Sequence, residues 1–132
     1  MTKKEYKDFT DLRVWQKSRD TVLSVFELID KIPDSEKAIL GNETKSLSLQ
    51  VARYIGEAHY AYGKEARIAT LSEAKRTLNA LHSNLMMIRE LELIKSKDLE
   101  PVLEEVGDCR GQLIGFIKYF AERDQTKEAQ SA

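Results

Sequence analysis

The residue types in this chain that suit chemistry on a polyanion are cations set beside aromatics. "LRVWQKSR" places Arg13, Lys17 and Arg19 around Trp15. Arg53, Lys64 and Arg67 bracket a stretch that carries Tyr54, Tyr60 and Tyr62, and Lys75 and Arg76 follow. A guanidinium or ammonium displaces the counterions of phosphate, and an aromatic ring gives an unpaired base a surface to stack on. Arg13, Lys17, Arg53, Lys64, Arg67, Lys75 and Arg76 are therefore the candidate nucleic-acid contacts. A second reading stays open: an ordinary solvated face with interspersed acids. The net charge is -1, from 21 basic and 22 acidic residues. Dedicated nucleic-acid binders usually carry a clear basic excess, so any such role must rest on local patches.

Other chemistry finds little support. His59 and His82 are the only histidines, and neither has a glutamate three residues before it, the spacing that marks a di-metal bundle. No metal or cofactor is expected. There is no phosphate-binding loop, nucleophile elbow or dinucleotide fingerprint. Cys109 is the only cysteine and falls on an apolar stripe, where it reads as packing. A lone cysteine excludes an internal disulfide and fits a reducing cytoplasm. The start, "MTKKEYKDF", lacks the apolar region of a secretory signal, and no run of 18 apolar residues suggests a membrane span. The expectation is a cytoplasmic protein that is not an enzyme.

The elements that position these residues are helices. Apolar content is 42%, charged content 33%, and two prolines leave room for long uninterrupted segments. A first helix, capped by Thr10 or Asp11, carries Trp15, Val22, Phe26 and Ile29 at helical spacing, with Leu12 and Val25 beside them. Trp15 is expected to be buried. Pro33 stops this helix, and Asp34 or Ser35 caps the next, which carries Leu40, Leu47, Val51, Ile55 and Ala58. It weakens over residues 59–64, where Gly63 marks a turn or kink. The third stripe is Ile68, Leu71, Leu78, Leu81, Leu85 and Ile88. Asp98 is the expected cap of a fourth helix with Pro101 in its first turn. That helix carries Leu99, Val102, Val106, Cys109, Leu113, Ile117 and Phe120. Residues 1–132 read as one all-α domain, an antiparallel up-down-up-down four-helix bundle, with its core over about 9–122 and polar, fraying termini.

The fourth helix raises its own question. "EEVGDCRGQLIGFIKYF" contains Gly107, Gly111 and Gly115, although glycine in a helix interior costs about 1 kcal/mol relative to alanine. A spacing of four advances about 40° per step, so the three form a ridge, roughly opposite the core stripe. Small residues let another backbone approach, which makes the ridge a candidate oligomer interface. A merely tolerant surface is the competing reading, because Glu104, Lys118 and Glu122 share that side.

"FTDLRVWQKSRD" resembles the opening of the small four-helix-bundle proteins encoded by intervening sequences in bacterial 23S ribosomal RNA genes. Phe9, Asp11, Leu12, Val14, Trp15, Gln16 and Lys17 stand in the places that carry the likeness. "EAKRTLNALHSNL", "LELIKSKDL" and "GFIKYF" extend it over most of residues 9–120. The second helix, "LSLQVARYIGEAHY", keeps Ile55 and Glu57 but lacks the family's proline, asparagine and basic pair. The resemblance implies a ring-like homopentamer associated with RNA, without catalysis. A related branch, accessory proteins of diversity-generating retroelements, implies instead a pentamer that binds a reverse transcriptase and nucleic acid. An oligomeric scaffold without nucleic acid is the third reading, and it fits the acidic balance best.

Overall fold

The computed structural model describes residues 8–131, with side chains through Glu122. The polar start at residues 1–7, and the side chains of the tail beyond Glu122, lie outside the described residues. Four long helices dominate: α1 (Arg13–Ile29), α2 (Asn42–Tyr60), α3 (Lys64–Glu90) and α4 (Ser96–Ser131). No strand occurs among the described residues. Helix α1 packs on α2 and α4, and α3 packs on the same two, so the four enclose one core.

Leu71, Leu78, Leu81, Leu85 and Ile88 of α3 are fully buried, as are Leu99, Val106, Cys109 and Leu113 of α4. The first two helices depart from their expected stripes. Helix α1 buries Val14, Ser18, Thr21, Val25, Leu28 and Ile29, while Trp15, Val22 and Phe26 lie half-buried. Helix α2 buries Thr44 and Ser48 with the expected Val51, Ile55 and Ala58, and Gly56; Leu47, and Leu40 in the turn before the helix, are half-buried. The physical reason is local hydrogen bonding. Ser18 donates to the Trp15 carbonyl at 2.6 Å, Thr21 to Lys17 at 3.1 Å, Thr44 to Leu40 at 2.7 Å and Ser48 to Lys45 at 2.7 Å. A hydroxyl satisfied by its own helix enters a core with little of the usual desolvation cost.

The helix starts also differ from expectation. Leu12 stands at the N-cap of α1 without a side-chain cap. Asp8 instead caps the 3₁₀ turn Phe9–Asp11, accepting from the Thr10 N–H at 2.8 Å and from the Thr10 hydroxyl. These bonds hold the Asp8 carboxyl below its ordinary pKa. Asp34 opens a single helical turn after Pro33 and caps nothing; a π-helical turn, Lys37–Gly41, then leads into α2. Gly41 permits that approach, since a Cβ there would stand 3.0 Å from Ile29 Cγ2 and 3.2 Å from Ile32 Cδ1. Asp98 lies inside α4 rather than at its cap, 3.4 Å from Lys31 Nζ, and Pro101 falls beyond the first turn.

Two joints complete the frame. Gly63, at φ 90°, separates α2 from α3 and occupies the region glycine favours. After α3, Glu92 takes φ 55°, and the Leu93 N–H reaches back to the Ile88 carbonyl at 3.1 Å. On the seam between α1 and α4, Ser24 donates to Glu105 at 2.5 Å, and Lys17 stands 4.0 Å from the same carboxylate.

Candidate nucleic-acid interface

The start of α1, the end of α2, the start of α3 and residues 116–120 of α4 meet at one end of the bundle. Arg13 is exposed as the first residue of α1. Arg53 is exposed on α2 and borders a shallow hollow of about 250 Å³ with Phe9, Gly56, Glu57 and Tyr60. Lys64 opens α3, half-buried. Tyr60 is 66% exposed and Tyr62 99%, so two aromatic faces stand in water among these cations. An exposed ring beside cations is the arrangement that stacks a base while neutralising its phosphate.

Arg67 plays a different part from the other three. Its Nε donates to the Ala58 carbonyl at 3.3 Å, and its guanidinium carbon lies 4.9 Å from the centroid of the Phe120 ring. It forms one wall of a cavity of about 470 Å³, with Leu12, His59, Phe116 and Tyr119 also on the lining. Phe116 and Phe120 meet edge to face at 4.7 Å between centroids. His59 is half-buried and lies edge-on to Tyr60 at 5.0 Å.

The other candidates sit elsewhere. Lys17 lies on the α1–α4 seam beside Glu105. Lys75 and Arg76 are about 12 Å farther along α3, at 1.5 Å per residue, and Arg76 stands 3.7 Å from Glu73. The bundle end thus gathers Arg13, Arg53, Lys64 and Arg67 and leaves Lys17, Lys75 and Arg76 outside. A second cationic group, overlooked in the sequence, sits at the opposite end: Lys31, Arg89, Lys95 and Lys97 surround Leu93 and Ile94 at the α3–α4 turn. The signal for it was "IKSKD", two lysines at a helix start.

Trp15, expected in the core, is half-buried. Its ring meets Phe9 edge to face at 5.4 Å, and the Arg19 guanidinium carbon lies 5.9 Å from its centroid. His82 accepts from Arg110 at Nδ1, 3.0 Å away, and Arg110 also donates to Asn79 at 3.0 Å. Cys109 is fully buried, and burial pushes its thiol up to about 11. Among the described residues no group of histidine, cysteine or carboxylates could hold a metal ion, and no helix is long and apolar enough to cross a membrane.

Gly107, Gly111 and Gly115 are exposed, and a Cβ at any of them would meet nothing within 4 Å. Among the described residues the ridge is open surface. Several large aliphatic residues are also exposed: Leu23 on α1 at 61% and Leu49 on α2 at 51%, with Ile39, Met87 and Leu91 elsewhere.

Residues 10–115 match the family model described as 23S rRNA-intervening sequence protein. No curated protein matches the chain.

Proposed function

The chain belongs to the 23S rRNA-intervening sequence protein family, and on that premise we propose that it is a non-enzymatic RNA-associated protein that works as a ring of identical subunits. Each subunit is an antiparallel up-down-up-down bundle. Two contacts between α2 and α3 support that order: Asn84 reaches Glu43 at 3.1 Å near one end, and Arg67 reaches Ala58 near the other. The observation that carries the RNA reading is the bundle end, where Arg13, Arg53 and Lys64 stand with the exposed rings of Tyr60 and Tyr62. One such patch on a chain of net charge -1 is weak. Five copies on a homopentameric ring make it strong by avidity, provided one RNA spans several patches.

The test is an electrophoretic shift with ribosomal RNA fragments across a salt series, run beside light scattering. Arg13→Glu with Arg53→Glu is expected to weaken binding and to flatten the salt slope, by roughly 0.7 per lost contact to a single strand. Unchanged affinity in that double variant would remove this end of the bundle from the model.

Leu23 and Leu49 favour a second reading, a scaffold that docks protein. A reverse transcriptase, bound as the accessory proteins of diversity-generating retroelements bind theirs, is one partner of that kind. Salt-insensitive association with a purified reverse transcriptase, without RNA binding, would favour it.

A further inference from the structure

Behind the exposed cations and rings of the bundle end lies the cavity walled by Arg67 and Phe120. We propose that this cavity is a pocket for one unstacked nucleobase of single-stranded RNA, with Arg67 as its recognition group. The inference rests on the RNA reading and adds a site to it. A volume of about 470 Å³ lies within the roughly 300–1,000 Å³ of small-ligand sites, and an unstacked base with its ribose is a small ligand.

The lining supplies the chemistry. Phe116 and Phe120 give apolar ring surface, and Arg67 packs its guanidinium on Phe120. Guanidinium planes and aromatic rings are the surfaces on which proteins stack splayed-out bases. Only the Arg67 Nε is committed, to the Ala58 carbonyl; among the described residues its terminal N–H groups have no hydrogen-bond partner. Among the described residues no carboxylate lines the cavity. Arg67 is the one permanent cation among the described lining residues and offers donors alone, so the ligand group that meets it presents acceptors. Guanine, with O6 and N7 side by side, is the base that best suits an arginine fork. An apolar peptide side chain would fill the space but leave those donors unmet. Arg53, Lys64 and the exposed Tyr60 and Tyr62, at the same end, give the rest of the strand a track.

The experiment compares three RNAs by fluorescence anisotropy on the full chain. One is a labelled single strand with a single guanosine in a uridine background, one carries an abasic linker at that guanosine, and one is a duplex. The intact strand is expected to bind roughly tenfold more tightly than the abasic strand, the worth of one stacked base. Phe120→Ala should erase that difference, and Arg67→Lys, which keeps the charge, should reduce it. Circular dichroism checks that each variant stays helical; the wild-type comparison needs no variant. Equal affinity for intact and abasic strands would overturn the pocket, leave the RNA reading standing and assign the cavity to a protein side chain. Failure to bind strand and duplex alike would overturn both.

Discussion

The Phe9 ring lies against Gly56 so closely that a Cβ on the glycine would stand 3.2 Å from Phe9 Cδ2. That contact docks the 3₁₀ turn onto α2 and sets the edge of the cationic end. Gly56→Ala is expected to lower stability by about 1–2 kcal/mol through overpacking, despite alanine's better helix propensity. In a Phe9→Ala background the same substitution should be neutral or stabilising. Thermal melts of the four proteins decide it; equal losses in both backgrounds would show that Phe9 is not the obstacle.

The ridge on α4 gives the opposite expectation. In a single chain, Gly107→Ala and Gly115→Ala meet nothing, so each should stabilise by about 0.5–1 kcal/mol. Gly111→Leu should split the proposed ring while helix content holds or rises, and Gly111→Ala should keep that ring or loosen it slightly. Sedimentation reads both. A Gly111→Leu protein of the parent's mass would place the interface on another face, and Leu23→Lys with Leu49→Lys would be the next variant to sediment.

Glu92 supplies a stability handle at the end of the bundle opposite the proposed RNA contacts. A non-glycine residue at φ 55° carries about 1 kcal/mol of backbone strain. Glu92→Gly should raise the unfolding free energy by about 0.5–1 kcal/mol, measured by urea titration. A loss instead would mean that the exposed Glu92 side chain contributes more than its backbone strain removes.

Cys109 makes alkaline stability testable. Burial raises its folded pKa to about 11 from an ordinary 9.0, so the folded state holds the proton longer than the unfolded state. Its contribution is therefore complete below pH 9, falls as pH rises from 9 to 11, and is worth about 2–3 kcal/mol by linkage. Cys109→Ala should be less steeply destabilised across that window than the parent. Thiol-alkylating reagents near pH 7.5 should leave the native protein unmodified; rapid labelling would show that the thiol opens to solvent.

Much of this architecture can be read from apolar spacing, and the limits are chemical. The stripes of α3 and α4 are legible because their core faces are mostly leucine, isoleucine and valine. Those of α1 and α2 hold at Val25, Ile29, Val51, Ile55 and Ala58 and mislead elsewhere, because Ser18, Thr21, Thr44 and Ser48 take core positions that no hydropathy pattern assigns to them. The displaced Trp15, Val22 and Phe26 then look like the core. The glycines show the same limit. Gly41 and Gly56 are the ones in tight contact, while the conspicuous trio on α4 touches nothing. Spacing reveals a ridge; it does not reveal which glycine has a neighbour. Of the candidate cations, those flanking the tyrosines do share one end. The role of Arg67 depends on Phe120, 53 positions later in the sequence, and no local pattern links them.

The seam between α1 and α4 has a consequence in the time domain. Ser24 and Glu105 are separated by 81 residues, whereas α2 and α3 are joined by a turn of three residues, 61–63. Contacts between sequence neighbours can form early, while the Ser24–Glu105 bond requires most of the chain to be in place. Ser24→Ala should therefore speed unfolding and leave the folding rate nearly unchanged. Stopped-flow traces across a denaturant series separate the two arms. A slower folding arm would mean that the first and last helices meet before the barrier is crossed.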